Sequence, residues 1–303
     1  MIKIKVNDYI NIYIWKLVSM VSGFLSVVIV VPHLSTHQEL YGIYAFCMSF
    51  VLYLSYADFG FLSAGQKFAG EEVAKGNKEK EIGITGFTLF LLICLFLPFS
   101  IFMLYLSINP EILFGDMSDN NITIASSLLL IMGSLLPVQV FLQRLVSFVL
   151  VIRLKDYIHL RIDIIFNLIK IFSVYFFFKD GQYLIVEYFL FITFMSIVSS
   201  CIAIYITSVN VKYNFSQLMR SLRLSKEYFQ LSKELALSSF MLTLAFIMYY
   251  EMDLLIIGWL FGMQDVALYA IGFTFLNFLR NLWNIIYSPI SQRLNHYSAY
   301  DSN

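Results

Sequence analysis

The sequence predicts an all-α polytopic membrane protein, a helical bundle of about eight transmembrane helices, and three observations carry that reading. First, 59% of the residues are hydrophobic and only 13% are charged, about half the charged share of a soluble domain. Second, the apolar residues come in blocks of about 20, the length that crosses a bilayer, and not in one-faced stripes. Third, Lys and Arg concentrate in alternate connections. Backbone polar groups must be satisfied within each segment in hydrocarbon, and barrel-type alternation is absent, so the spans are helices.

In order, the spans are read at 11–31, 40–62, 84–107, 122–151, 158–178, 184–208, 235–260 and 267–290. The first follows Lys3 and Lys5, contains Lys16 and lacks a small-x-small cleavage site, so it reads as a span and not as a signal peptide. The fourth is longer than a crossing requires and is expected to continue as helix into the interface. Residues 70–81, "GEEVAKGNKEKE", read as a solvated charged turn. No phosphate-binding loop occurs, so ATP-driven transport has no support. Residues 209–234 are basic and read as an amphipathic helix on the anionic leaflet. They link a six-helix N-terminal lobe, 1–208, to the first helices of an incomplete C-terminal lobe, 235–303.

Charge sets the orientation. One side receives Lys3, Lys5, Lys67, Lys75, Lys78, Lys80, Arg153, Lys155, Arg161, Lys212, Arg220, Arg223, Lys226, Lys233 and Arg293, and the other only Lys179. Both termini are therefore expected in the cytoplasm of a cell whose inner membrane holds the protein. The external loops are short and hold no nucleophile, metal set or acid/base set, so no catalytic residue and no enzyme activity is expected. Cys47, Cys94 and Cys201 lie in apolar blocks without metal or disulfide spacing. His33, His37, His159 and His296 form no ligand cluster, and His33 and His37, which flank a short loop, read as interfacial. No metal, cofactor or nucleic-acid partner is expected; membrane lipids are.

A weak repeat appears at a shift of 226: "HLSTHQELYGIYAF" at 33–46 against "WLFGMQDVALYAIG" at 259–272. It aligns Leu34 with Leu260, Gln38 with Gln264 and Glu39 with Asp265, and it suits a parallel repeat of six-helix units.

The informative residues are the charges inside spans: Lys16, Asp58, Arg144, Asp163, Lys170, Glu251, Asp253 and Arg280. Each costs about 2.5–3.5 kcal/mol at a helix centre, so they must pair or face water. Lys16 and Asp58 lie near the cytoplasmic ends of a hairpin and are expected to pair as a gate or packing contact. Asp163 reads as interfacial, and Arg144 lies in the inner half of its span. Lys170 and Arg280 sit near mid-span. Glu251 and Asp253 are about 200° apart on one helix, so they serve different partners. Arg144, Lys170 and Arg280 are expected to hold an anion in a polar cavity, with Asp58, Lys16, Glu251 and Asp253 serving ion coupling or gating.

The stretches "ELYGIYAF" (39–46), "YADFGF" (56–61) and "YYEMDLLIIGWLFGMQDVALYAIGF" (249–273) resemble the O-antigen flippases, the polysaccharide-exporter branch of the multidrug/oligosaccharidyl-lipid/polysaccharide (MOP) superfamily. The matching positions are Tyr41 and Gly42, Asp58 and Gly60, Asp253, and Tyr269. The resemblance implies a MOP/MATE-like fold. It also implies flipping of an undecaprenyl-pyrophosphate-linked oligosaccharide by alternating access, driven by a proton or sodium gradient, with a polysaccharide polymerase as partner. That family has about twelve or more spans where this chain has about eight, so a truncated remnant, a scaffold and a small-molecule antiporter stand as alternatives.

Overall fold

The computed structural model describes residues 6–56, 58–115, 117–179, 183–250 and 252–301, and among them the chain is all-helical. The helices are α1 (Val6–Leu34), α2 (Gln38–Tyr56), α3 (Phe61–Lys75), α4 (Lys78–Ile108), α5 (Glu111–Phe114), α6 (Asp119–Ser134) and α7 (Leu136–Val151). Then follow α8 (Tyr157–Phe177), α9 (Ile185–Asn210), α10 (Phe215–Arg220), α11 (Lys226–Tyr250), α12 (Asp253–Leu260) and α13 (Met263–Asp301). Among the described residues, five stretches are long and apolar enough to cross a membrane: Ile10–Leu34, Lys78–Ile108, Asp119–Val151, Ile185–Asn210 and Lys226–Leu260. Their outer faces carry large apolar side chains such as Ile101, Tyr205, Leu242 and Trp259, the last 87% exposed, a surface suited to lipid. The other three segments read as spans fall on α2, α8 and α13. Of these, α2 ends at Tyr56, and α8 carries Arg161, Asp163 and Lys170.

The connections differ from the sequence reading in three places. The stretch 70–81 is not a solvated turn: α3 runs to Lys75, turns through the left-handed Gly76, and α4 begins at Lys78. Asn77 caps α4 by accepting from the Lys80 amide at 3.3 Å. Glu81 is buried one turn later, because Arg153 at the end of α7 reaches it at 2.7 Å. A pair this enclosed is worth most as a constraint, since removing one partner strands the other charge at about 3–5 kcal/mol. The long fourth span is broken at Leu135, just before Pro137, whose ring and missing amide oppose a continuous helix. The basic segment 209–234 is not one surface helix. It holds the short α10, while residues from Lys226 on already belong to α11. Ser221 ties the segment to α4 by donating to Ile82 O at 3.2 Å.

The core runs through α2, α4, α6, α7 and α9, with Ile43, Leu89, Leu128, Leu129, Phe148 and Phe189 buried in it. The last helices pack on this first group: α13 lies against α1, α2 and α3, and α11 against α3 and α4. The two turns aligned by the repeat touch each other, Gln38 Nε2 donating to Gln264 O at 3.3 Å. Two glycines permit this closeness. A Cβ on Gly42 would fall 1.9 Å from Met263 O, and one on Gly60 would fall 2.3 Å from Ala236 O. Gly60 also has φ +76°, next to Phe59 at φ +46°, so the chain reverses sharply between α2 and α3.

Gly42→Ala and Gly60→Ala should each lower stability by about 1–3 kcal/mol, because the atom that the new Cβ meets belongs to rigid backbone. Gly23→Ala, with nothing within 4 Å of its Cβ position, should be neutral or stabilising. Thermal unfolding of the purified variants checks this; equal midpoints for all three would contradict the packing described.

Candidate functional site

The site begins with the spacing on α8. His159, Asp163, Asn167 and Lys170 follow one another at four, four and three residues, which puts all four on one helical face. That face turns inward against α1 and α9. Polar groups placed there need partners from the neighbouring helices, and small hydroxyl residues supply them. Asn167 Nδ2 donates to Ser22 Oγ of α1 at 2.8 Å. Ser199 of α9 donates to Asp163 Oδ1 at 2.6 Å. Lys170 Nζ donates to Ser196 Oγ, also on α9, at 3.2 Å. His159 is buried, with Nε2 3.2 Å from Asp163 Oδ2 but outside hydrogen-bonding alignment.

Lys170 opens into a cavity of about 260 Å³ between α1, α2, α7, α8 and α9. Its polar lining is Ser26, Tyr44, Gln139, Asn167, Lys170, Tyr188, Thr193 and Ser196, and the rest is aliphatic or aromatic. A second cavity of about 280 Å³ adjoins it, sharing Ser26, Val30, Tyr44 and Met48, and extends to Thr274 and Asn277 of α13. Among the described residues, no acid lines either space. The chemistry offered is one ammonium amid hydroxyl and amide groups in a low-dielectric wall, an arrangement that attracts an anion with further hydrogen-bonding groups.

The other residues singled out in the sequence take different places. Arg280 stands one turn from the second cavity: its Nη1 donates to Asn277 Oδ1 at 3.0 Å, and its guanidinium lies 5.5 Å from the Phe273 ring centre and 5.9 Å from that of Phe246. Arg144 lines neither cavity, and its charge acts on Asp58. The expected Lys16–Asp58 pair gives way to another. Lys16 Nζ lies 3.5 Å from Asp156 Oδ2, at the base of α8. Asp58 accepts from the Gly60 amide at 3.1 Å and so shapes the turn into α3. Burial pushes the Asp156 carboxyl above the usual carboxylate range, and the charge of Lys16 opposes the shift. Asp253 opens α12 on an exposed surface and accepts a hydrogen bond from the Tyr269 hydroxyl. Glu251 lies outside the described residues.

Sequence reasoning missed His159, Asp163 and Asp156 as members of this site. The available signal was the spacing His-x3-Asp-x3-Asn-x2-Lys, which places a titratable stripe along one face. Compared with protein-family models, with curated proteins and with solved structures, the chain matches none of them. Fold and cavity together define an all-helical protein with membrane-length apolar helices and a buried cation.

The field of Lys170 is measurable. In a background with the three cysteines replaced by serine, Ser196→Cys should react with an anionic methanethiosulfonate about tenfold faster, relative to a cationic one, than it does when Lys170→Gln is added. An unchanged ratio would show that Lys170 does not set the potential of the cavity.

Proposed function

We propose that the chain turns an undecaprenyl-pyrophosphate-linked oligosaccharide from the cytoplasmic to the external leaflet of the inner membrane, as its resemblance to the O-antigen flippases implies. The observation that supports this best is the lining of the two adjoining cavities, which among the described residues offers Lys170 and no acid. A pyrophosphate needs a positive charge, and the attached sugars need hydroxyl and amide partners. Ser26, Gln139, Asn167 and Asn277 are of that kind. Arg280, held against Asn277, gives the second cavity a cation at its edge.

On this reading α2, α8 and α13 cross the membrane with the five longer apolar stretches, both termini are cytoplasmic, and the bundle is MOP/MATE-like. The cavities are each sized for a headgroup portion, and the polyprenyl chain stays in the surrounding lipid. The chain performs no covalent chemistry; a proton or sodium gradient drives it, and a polysaccharide polymerase takes the product outside. A small-molecule cation antiporter of the same superfamily would want an acid where Lys170 stands.

Lys170→Met and Arg280→Met should each lower surface glycan by about tenfold or more, the loss of one charged hydrogen-bond donor to the headgroup, while the protein stays inserted. Lys170→Arg should retain most of the export. Unchanged surface glycan in both methionine variants would overturn the assignment and leave a non-transporting scaffold or remnant.

A further inference from the structure

Along α8 one acid, Asp163, stands between two bases, so a single proton on either base balances it. At the base, Lys16 of α1 and Asp156 neutralise each other at 3.5 Å. Above them Asp163 is a second acid with two bases on its own face: His159 one turn toward the base, and Lys170 two turns toward the cavity. The negative charge of Asp163 acts on both. Asp156, three residues before His159, also acts on it, and Lys16 opposes that charge; among the described residues the groups that α7 and α9 bring to the stripe are uncharged. From α9 come Ser196, Ser199 and, in the cavity, the phenol of Tyr188; from α7 comes Gln139. Arg161 lies on the exposed side of α8 over the rings of Trp15 and Tyr157, 4.7 and 5.1 Å from their centres.

We propose that His159, Asp163 and Lys170 form a one-proton exchange site, in which a single proton balances Asp163 from His159 at the base of α8 or from Lys170 at the cavity. A proton taken from cytoplasmic water onto His159 Nε2 faces Asp163 Oδ2 at 3.2 Å, and Lys170 is then free to be neutral. When the proton sits on Lys170, His159 is neutral and Asp163 is balanced from above. The hydroxyls of Ser199 and Ser196, one turn apart on α9, lie at Asp163 and at Lys170 and give the exchange a polar wall. Burial makes the doubly protonated and doubly deprotonated forms unfavourable, so occupancy of one base excludes the other. An anion entering the cavity favours the proton on Lys170 and draws it from the base. The inference rests on the proposed anion-binding cavity for its purpose, and it assigns coupling to these residues in place of Asp58, Lys16, Glu251 and Asp253.

The test needs no glycan substrate. Nitrogen-15 NMR of histidine-labelled protein in phosphatidylglycerol nanodiscs, with His159 assigned through His159→Asn, gives the protonation midpoint of His159. Lys170→Met should raise that midpoint by about one pH unit, since Asp163 is then balanced only from His159; Asp163→Asn should lower it by a similar amount. Lys170→Arg, which keeps the charge, should fail to raise it. Should Lys170→Met not insert, the reciprocal reading serves: the pH dependence of Lys170 acetylation by acetic anhydride, followed by peptide mass spectrometry, should shift upward in His159→Asn. A His159 midpoint indifferent to Lys170→Met, or a Lys170 profile indifferent to His159→Asn, overturns the proposal. Unchanged glycan export with these shifts intact would overturn the transport reading and leave the proton site standing.

Discussion

A packed interior does not forgive an unpaired charge, and the arrangement around α8 follows from that constraint. Placing His159, Asp163, Asn167 and Lys170 on one face forces that face inward. It also requires α1 and α9 to present Ser22, Ser196 and Ser199 there, because a larger apolar residue would leave buried donors and acceptors without partners. The space left at Lys170 is the cavity. One helix thus decides both how the first helices pack and where the amine of Lys170 stands in the cavity.

A second constraint joins the end of the chain to its beginning. The turn before α2 and the turn before α13 meet at Gln38 and Gln264, and Gly42 lets the backbones come within a distance that no side chain would permit. Gly60 does the same between the start of α3 and α11. Through these contacts α13 reaches the cavity system, bringing Thr274 and Asn277 to its edge. On the Lys/Arg-rich side of the charge map, the enclosed Glu81–Arg153 pair ties α4 to the end of α7, and Arg153 also lies 4.6 Å from the ring centre of Tyr213 in the following connection. Burial and the Glu81 carboxylate push the Tyr213 phenol up, with Arg153 opposing.

The all-helical class and the membrane-length apolar stretches were legible because block length and charge content report directly on the solvent. Lys170 was legible as a deep cation for the same reason. Partners were not. Depth along a span says how costly a charge is, yet it does not say which helix lies opposite, so Lys16 was matched to its hairpin neighbour Asp58 and not to Asp156 across the bundle. Glu81 looked solvated because it stands in a charged run, and only the arrival of Arg153 from far along the sequence explains its burial. Asp163 and His159 were read one at a time, when their spacing to Lys170 held the information. The break at Leu135 and the early start of α11 show how weakly apolar blocks mark helix ends.

The central claim is that Lys170 holds the phosphate end of a polyprenyl-linked ligand within the bundle. Native mass spectrometry of the protein released from membrane vesicles, with added undecaprenyl pyrophosphate, reads that contact directly. The account predicts a one-to-one adduct on the unmodified protein, depleted by about tenfold in Lys170→Met and retained in Lys170→Arg. An adduct of equal abundance in all three proteins would contradict it.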